Sequence, residues 1–408
     1  MEGIVYLDMA VLAAFVFVYS IVGGALERTP VNGAIVFASL GLVFGPLGLG
    51  LLTLNVDAEG LRTLAELTLA LVLFTDASNA DLGVLKKSFR IPQRLLLMGL
   101  PLTILLGFGF GVMLFDDLSL LEIAILATML APTDAALGKA VVTDESVPVN
   151  IREGLNVESG LNDGICVPIL FVFLALAAGS VGEGPPRGFA LTLVAEEVGI
   201  GCAVGLGLSL IGARLIRHSA ERGWITETWR QLPVVALAVA AFALAQVLGG
   251  SGFIAAFVGG LLFGALVKEH KHRLLLAAEG TGDTLALITW VVFGAAVVGQ
   301  SVGSFSWQTM AYAVLSLTVV RMLPVFLALA GFKLRTDEKL FMGWFGPRGL
   351  ASIVFAVIVL NARLPGGDTI AMTVVCTIAL SVIAHGLSAT PLVAALAARA
   401  KGPGARHG

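Results

Sequence analysis

The sequence has few charged residues for its length. Asp, Glu, Lys and Arg together make up 13% of the 408 residues, whereas soluble globular chains carry about 25%. Hydrophobic residues make up 57%, and the mean hydropathy is +0.96. These values exclude an ordinary soluble domain and predict a chain that lies largely within a lipid bilayer.

Cysteine is also scarce. Cys166, Cys202 and Cys376 all lie in apolar stretches, so we expect buried packing residues rather than a disulfide framework.

The net charge of −3 indicates no class of partner, and we expect neither a cofactor nor a nucleic-acid partner. The first apolar stretch is long and lacks a preceding basic region, so we expect no cleavable signal peptide. Because only about ten Gly-rich residues follow span 13, we expect no soluble regulatory domain in this sequence.

Long apolar runs are abundant. A helix needs about 20 apolar residues to cross the hydrocarbon core of a bilayer. The sequence divides into thirteen such spans, at residues 4–24, 31–53, 63–78, 92–115, 119–141, 152–179, 189–213, 231–249, 251–267, 281–300, 307–332, 340–361 and 369–398. We therefore predict an all-α, multi-pass membrane protein with about 13 transmembrane helices.

The basic residues are distributed unevenly between the loops. Cytoplasmic loops are enriched in Lys and Arg, and most of the 25 basic residues fall in inside segments if the N-terminus is outside. This pattern predicts a protein of the cytoplasmic (inner) membrane with its N-terminus outside and its C-terminus inside. Two basic residues, Arg321 and Arg348, fall instead within spans 11 and 12.

An internal similarity links the two halves of the chain. Residues 32–45 align without gaps to residues 251–264, with six identical positions, three of them glycine. The alignment pairs span 2 with span 9. Because seven spans is an odd number, the two copies would cross the membrane in opposite directions, which predicts two inverted-topology repeats. Chance similarity between two glycine-rich helices is the alternative.

Spans 5 and 12, also seven apart, each carry proline beside a charged residue. Span 5 contains Pro132-Thr133-Asp134, and span 12 contains Pro347-Arg348 between glycines. Proline removes an amide donor, and irregular backbone persists in a membrane only where protein or a cavity surrounds it. We predict discontinuous helices in both spans and a transport site where they meet; simple proline kinks are the alternative.

A polar run opens span 6 and brings acids into the membrane. Glu158 and Asn162 are spaced i, i+4 on a helix, as are Ser159 and Asp163, so the four residues line neighbouring helix faces. A carboxylate within a bilayer is costly, and it therefore marks a functional site.

Two aspartates are expected at similar depth, one from each of spans 5 and 6. Asp134 and Asp163, with Thr133, Ser159 and Asn162, would supply the hard oxygen ligands that a small cation needs. Burial and a neighbouring carboxylate favour the protonated form of such groups, so a proton and a cation would compete for the same oxygens.

Glu158 requires a counter-charge within the membrane. Both Arg321 and Arg348 are candidates, and we favour Arg321, because such a buried pair would brace two helices. Arg348 would then oppose the exposed carbonyl groups at the break in span 12.

Taken together, these motifs resemble those of the monovalent cation:proton antiporters of the NhaP and NHE type. Thr133-Asp134 looks like the Thr-Asp pair at the unwound fifth helix of that family. Residues 158–163 are similar to its sixth-helix Glu-Ser-x-x-Asn-Asp signature, and residues 346–349 to its Gly-x-Arg-Gly break. Arg321 resembles the arginine that pairs with the sixth-helix glutamate.

The resemblance implies a secondary transporter rather than an enzyme, with a role in pH homeostasis. It implies a homodimer in which a core moves like an elevator against a scaffold. The implied regions are a scaffold at residues 1–78 and 231–300, a core at 92–179 and 307–398, and a linker helix at 189–213, within a single transporter unit.

The resemblance also implies the cargo and its ligands. Na⁺ or Li⁺ would exchange for H⁺, with Asp163 as the main carrier and Asp134, Ser159 and Thr133 as further ligands. Na⁺ itself would lie at Asp134, Ser159 and Asp163. Asn162 would tie the broken helix in place; it stands where electrogenic relatives have a second aspartate, so the exchange would be electroneutral, one for one.

The sequence departs from the family pattern at two places. Pro132 precedes the Thr-Asp pair, whereas the family proline usually follows it, so the break in span 5 is expected to be shifted or softened. In span 3, many relatives carry a glutamate directly after a Leu-Phe pair, whereas here Leu73-Phe74 is followed by Thr75-Asp76. Asp76 either takes the role of that glutamate or caps the cytoplasmic end of span 3.

Three other functions compete with this interpretation. A K⁺/H⁺ antiporter would keep the fold and change the cation. A carboxylate-anion symporter of related architecture is disfavoured by two buried aspartates. An intramembrane serine protease would use Ser251, in a Gly-x-Ser-Gly pattern, with His385 as its base; thirteen spans are too many for that fold, and packing is the preferred role of His385.

Overall fold

The computed structural model describes residues 2–26, 33–52, 58–80, 90–134, 137–142, 144–180, 187–267 and 271–400. Within these ranges every regular element is helical. Eight helices in the described ranges are long and apolar enough to cross a membrane, and four shorter helices are also apolar. The all-α membrane class is confirmed, whereas the number of crossings stays a prediction.

Helical structure occurs in every predicted span, and the helices are numbered accordingly. They are α1 (Glu2–Leu26), α2 (Gly33–Phe44), α3 (Ala58–Asn79), α4 (Arg90–Arg94, Leu95–Gly99 and Leu100–Leu114), α5a (Leu120–Met129), α5b (Lys139–Val142), α6 (Val149–Ser180), α7 (Arg187–Glu221), α8 (Leu232–Val247), α9 (Gly252–Leu266), α10 (Lys271–Val292, Phe293–Val298 and Gly299–Ser301), α11a (Trp307–Leu317), α11b (Val319–Ala328), α12a (Thr336–Trp344), α12b (Leu350–Asn361) and α13 (Gly367–Ala400). Short 3₁₀ helices occur at Trp229–Gln231 and Val302–Ser304.

Helix α2 is shorter than the predicted span 2. It ends at Phe44, and turns follow through Gly50, whose φ is +62°. Pro46 explains the early end, because the residue before a proline is disfavoured in the helical conformation. The left-handed backbone at Gly50 is available to glycine without steric cost.

Spans 5 and 12 are discontinuous, as predicted. Helix α5a ends at Met129, and α12a ends at Trp344, with α12b beginning only at Leu350. The break in span 5 therefore starts at Leu130, two residues before Pro132, and residues 131–134 are not helical. Ala135 lies outside the described residues, as do Lys86 and Lys87, on which the predicted sidedness partly rests.

Three irregularities escaped the sequence-based prediction. Span 11 is interrupted at Thr318, with φ −110° and ψ −93°, in the run Thr318-Val319-Val320 of β-branched residues, which have low helix propensity. Helices α4 and α10 contain π-helical turns at Leu95–Gly99 and Phe293–Val298. The turn in α4 immediately precedes Pro101, which lacks the amide proton that a regular ladder requires.

The glycines shared by the aligned segments make equivalent contacts. A Cβ added to Gly41 of α2, or to Gly45 directly after it, would meet the backbone of α10. A Cβ added to Gly260 or Gly264 of α9 would meet the backbone of α3. Helices α3 and α10 are themselves seven spans apart. The shared glycines thus allow close helix approach at corresponding positions, which supports the predicted repeat.

Helix α6 lies at the centre of the elements that carry the candidate residues. It packs against α5a, α3 and α9, while α12b packs against α13, α5a and α3. The breaks of spans 5 and 12 therefore meet beside α6, and α3 brings its C-terminal end to the same place.

Candidate functional site

Asp134, in the break of span 5, accepts a hydrogen bond from the first amide of α12b, the second half of span 12. Its Oδ2 accepts a hydrogen bond from the amide of Leu350, the first residue of α12b, at 2.9 Å. Its own amide donates to the carbonyl of Pro347 at 2.8 Å. Gly349, the residue before α12b, has no side chain to act as a cap, and a Cβ there would collide with the Asp134 carboxylate. A carboxylate at a helix N-terminus is stabilised by the helix dipole.

Arg348 makes the reciprocal contact. Its Nη1 donates to the carbonyl oxygens of Ala131 and Pro132, at 3.1 and 3.0 Å, just beyond the C-terminal end of α5a. From the sequence we expected Arg348 to oppose carbonyl groups at its own break in span 12. The carbonyls that it meets belong to span 5, because the two breaks cross and its side chain reaches the facing chain.

Polar side chains of α12b and α13 contact three further backbone groups at the breaks. Ser352 Oγ donates to the Met129 carbonyl at 2.7 Å, and the Arg348 amide donates to Ser381 Oγ at 2.7 Å. His385 Nε2 lies 2.9 Å from the Trp344 carbonyl at the end of α12a. Ser352 and Ser381 were not predicted from the sequence. The i, i+4 spacing of Ser381 and His385 in an apolar span could have indicated that these two polar side chains share a helix face.

Thr133 joins the break in span 5 to α6. Ser159 Oγ donates a short hydrogen bond to the Thr133 carbonyl, and Asn162 Nδ2 donates to Thr133 Oγ1 at 2.8 Å. All three residues are buried. The two polar side chains of α6 thus hold the unwound chain in place, since backbone without helical partners needs side-chain ones inside a membrane.

Asp163 differs from its neighbours because one of its oxygens has no such partner. It is 8% exposed, and among the described residues its Oδ1 has no hydrogen-bond partner. Oδ1 of Asn162, which is fully buried, is likewise unpartnered in the described part of the chain. Two adjacent residues therefore present buried acceptor oxygens that no described residue satisfies, which is costly unless a proton or cation occupies them.

Three carboxyl groups lie close enough to influence one another electrostatically. Asp163 is repelled by Asp134 and by Asp76, and Asp76 is repelled by Asp134. Asp76 lies in the last turn of α3, beside Gly160 of α6. A carboxylate there opposes the helix dipole and cannot cap the helix, so its position favours a part in the site over the capping alternative.

A small cavity adjoins the crossing. Its volume is about 10 Å³, which is about the space that one water molecule needs. Its lining includes Thr133, Asp134 and Ser159. Val142 and Leu155 form its apolar side. Val141 of α5b and Phe345, in the break of span 12, also line it.

Glu158 pairs with Arg321 and not with Arg348. Arg321 Nη1 and Nη2 donate to the two carboxylate oxygens at 2.5 and 2.8 Å, and both side chains are almost fully buried. Gly346 packs against the guanidinium so closely that a Cβ would collide with it. The pair links α6, α11b and the break in span 12, and its bidentate geometry offsets part of the desolvation of two buried charges.

The residues predicted for a protease do not form a dyad. Ser251 Oγ accepts from the Ile254 amide at 3.4 Å and caps α9. His385 Nδ1 lies 2.9 Å from the Ser381 carbonyl, and its Nε2 is bonded to the backbone of α12a. Both residues have structural roles in separate parts of the fold, which agrees with the preferred packing role of His385.

Similarity to known proteins extends over nearly the whole chain. The family model described as "Sodium/hydrogen exchanger, transmembrane" matches residues 12–395. The chain belongs to the sodium/hydrogen exchanger family.

Two relatives show how far this chain is similar to known proteins. It is 25% identical over 357 residues to a K⁺/H⁺ antiporter NhaP2 of Shewanella sp. strain MR-4, covering 87% of this chain and 61% of that one. It is 24% identical over 368 residues to a probable Na⁺/H⁺ antiporter of Schizosaccharomyces pombe, covering 84% of this chain and 47% of that one. The chain thus spans less than two thirds of the length of these relatives.

The fold of the chain matches that of a solved antiporter. The structure of the sodium proton antiporter MjNhaP1 from Methanocaldococcus jannaschii superimposes with a TM-score of 0.75 at 21% sequence identity, covering 97% of this chain and 99% of that one. At this identity the match establishes the fold alone.

Proposed function

We propose that this chain exchanges a monovalent cation for protons across a membrane, with the Asp163 carboxylate binding each in turn. One observation carries the proposal: Asp163 is buried beside two crossing broken helices, and its Oδ1 has no partner among the described residues. Family membership supports the same activity.

Electrostatics explain why such a group would drive exchange. A bare carboxylate in apolar surroundings is costly to move. A proton or a cation neutralises it, and the two compete for the same oxygen. A site that moves only when occupied therefore couples the flow of one ion to the opposite flow of the other.

Oxygen atoms of residues near Asp163 would supply the remaining ligands. Asn162 Oδ1 supplies a second unpartnered oxygen. Ser159, Thr133 and Asp134 lie along the same crossing and keep lone pairs beyond the hydrogen bonds that they make. We propose Na⁺ at Asp134, Ser159 and Asp163, with Thr133 and Asn162 positioning the unwound chain and Asp76 tuning the charge of the site.

Sodium or lithium is the cargo that we propose first, and potassium is the second candidate. The printed names of similar proteins include both a sodium proton antiporter and K⁺/H⁺ antiporters. Hard oxygen ligands suit each of these cations, so selectivity depends on the spacing of the ligands rather than on their type.

A cation series in liposomes tests the proposal. The purified chain is reconstituted in liposomes that hold a pH-sensitive dye, and Na⁺, Li⁺ or K⁺ is added outside. We expect protons to move out as Na⁺ or Li⁺ enters; a response to K⁺ alone would establish the second candidate. The series is run between about pH 6 and pH 9, because protons and cations compete for buried carboxyl groups around neutral pH. If no alkali cation gives a response in this range, antiport is refuted.

We also propose that the core at residues 92–179 and 307–398 moves against the scaffold at 1–78 and 231–300, with α7 as the linker between them. The close glycine contacts of α2 with α10 and of α9 with α3 lie within the proposed scaffold and favour a rigid unit.

We propose a homodimer in the cytoplasmic membrane with its N-terminus outside. Light scattering that gives the mass of one 42.2 kDa chain would contradict the dimer, and reporter fusions to each terminus test the orientation.

A further inference from the structure

A large cavity lies away from the crossing, between α7, α9 and α10. Its volume is about 710 Å³, within the range of about 300 to 1,000 Å³ that small-molecule sites occupy. It is formed where α7 and α9 end and where α10 begins, on the side predicted to face the cytoplasm. None of the residues assigned to ion exchange lines it.

The lining of this cavity combines positive charge with apolar surface. Arg217, Arg230 and Arg273 line it together with one acid, Glu221, which leaves the lining net positive. Its apolar part includes Ile216 and Leu274. A ligand that fits both must carry an anionic group and a hydrocarbon part.

Two of these arginines have no protein partner in the described part of the chain. Arg230 is paired with Glu227 at 2.7 Å. By contrast, neither Arg217 nor Arg273 has an ion pair or side-chain hydrogen bond with a described residue. Their donors remain available to an anion, and arginine binds phosphate with several N–H groups at once.

The neighbouring segment has the composition of a membrane interface. Trp224 and Trp229, each 64% exposed, lie between α7 and α8 in the same segment as Arg230. Exposed tryptophan is enriched at the level of lipid headgroups. Basic pockets between transmembrane helices on the cytoplasmic side suit anionic headgroups.

We propose that this cavity binds an anionic phospholipid, with the headgroup phosphate at Arg217 and Arg273 and the start of its acyl chains along the apolar wall. The bound lipid joins α7 to the ends of α9 and α10. This proposal is independent of ion exchange, because it rests on a separate cavity.

Thermal unfolding of the purified full chain in a neutral detergent tests the proposal. Phosphatidylglycerol, phosphatidylcholine and inorganic phosphate are titrated separately, and tryptophan fluorescence reports Tm. We expect phosphatidylglycerol to raise Tm in a saturable way, while phosphatidylcholine and inorganic phosphate leave it unchanged. An equal rise with inorganic phosphate alone would show a small-anion site and overturn the lipid proposal.

Paired variants separate a built site from general surface attraction. In Arg217→Gln/Arg273→Gln, we expect the phosphatidylglycerol concentration that gives half the rise in Tm to increase by at least about tenfold. The control Arg214→Gln/Lys333→Gln removes the same number of positive charges from exposed positions on the side predicted to face the cytoplasm, outside the cavity lining, and should titrate like the unmodified chain. Equal losses in both variants would overturn the proposal.

The same measurement detects a purely structural role of the arginines. If they only offset the helix carbonyls, the double variant unfolds at lower Tm without lipid and keeps its affinity for phosphatidylglycerol, which would also overturn the proposal. If the double variant does not fold, Arg273→Gln alone, compared with Arg214→Gln, gives the same test.

Discussion

Asp134 and Arg348 each satisfy backbone groups of the broken helix to which the other belongs. Asp134 accepts from the Leu350 amide at the start of α12b, and Arg348 donates to the Ala131 and Pro132 carbonyls that follow α5a. One charge meets the amide end of a half-helix and the other meets carbonyl groups, as the dipoles require. The two breaks therefore stabilise each other and hold α6 beside them.

The first prediction concerns Asp163. We expect Asp163→Asn to abolish exchange in liposomes while the protein stays folded, because an amide cannot alternate between binding a proton and binding a cation. The pH-sensitive dye reports exchange, and the elution profile in detergent reports folding. Asp116→Asn, the same change in an exposed loop, is the matched control and should transport normally. Exchange that persists in Asp163→Asn would identify another carrier.

The second prediction concerns the pair of Glu158 and Arg321. Removing either partner leaves a buried uncompensated charge, so Glu158→Gln and Arg321→Met should each cost about 3 to 5 kcal/mol of stability. The double variant Glu158→Gln/Arg321→Met should be more stable than either single variant. Thermal unfolding of the four proteins in one detergent measures this cycle. Additive losses would show that the pair is not coupled.

The third prediction concerns Gly349. A Cβ at this position would displace the Asp134 carboxylate from the Leu350 amide, so we expect Gly349→Ala to lower both Tm and the rate of exchange. Gly367→Ala serves as the control, since a Cβ there meets no atom within 4 Å. If both variants behave alike, close approach at the crossing is not required.

The fourth prediction concerns Thr133. Thr133→Val keeps the shape of the side chain but leaves Asn162 Nδ2 without its acceptor, at a cost of about 1 to 3 kcal/mol. Thr133→Ser retains the hydroxyl and should remain close to the unmodified chain in Tm and in exchange. A Thr133→Val variant as stable as Thr133→Ser would show that the hydrogen bond contributes little.

The fifth prediction concerns the charge moved in each cycle. If Asp163 alone binds the proton and the cation in turn, one proton replaces one monovalent cation, and Asn162 contributes no second titratable group. We expect no steady current when a sodium gradient is applied to the protein on a solid-supported membrane. A sustained current would show that more protons than cations move.

Much of the site was accessible from the sequence because its residues cluster in short motifs. Thr133-Asp134, the polar run of α6 and the proline of span 12 are local signals of broken or polar membrane helices. Ser381 and Ser352 gave weaker signals, since a serine in an apolar helix is common. The break at Thr318 was missed because a run of β-branched residues lowers helix propensity only slightly.

The sequence by itself determined that the chain is a bundle of membrane helices and that spans 5 and 12 are broken. Apolar length and proline act locally, since every backbone group in a bilayer must be satisfied within its own segment or by nearby protein. Only the tertiary structure decided that Glu158 pairs with Arg321, that Arg348 meets the carbonyls of span 5, and that an oxygen of Asp163 has no hydrogen-bond partner among the described residues. Those outcomes depend on which distant segments face one another across the crossing, and the geometry of a pair more than 160 residues apart is not encoded in either segment alone.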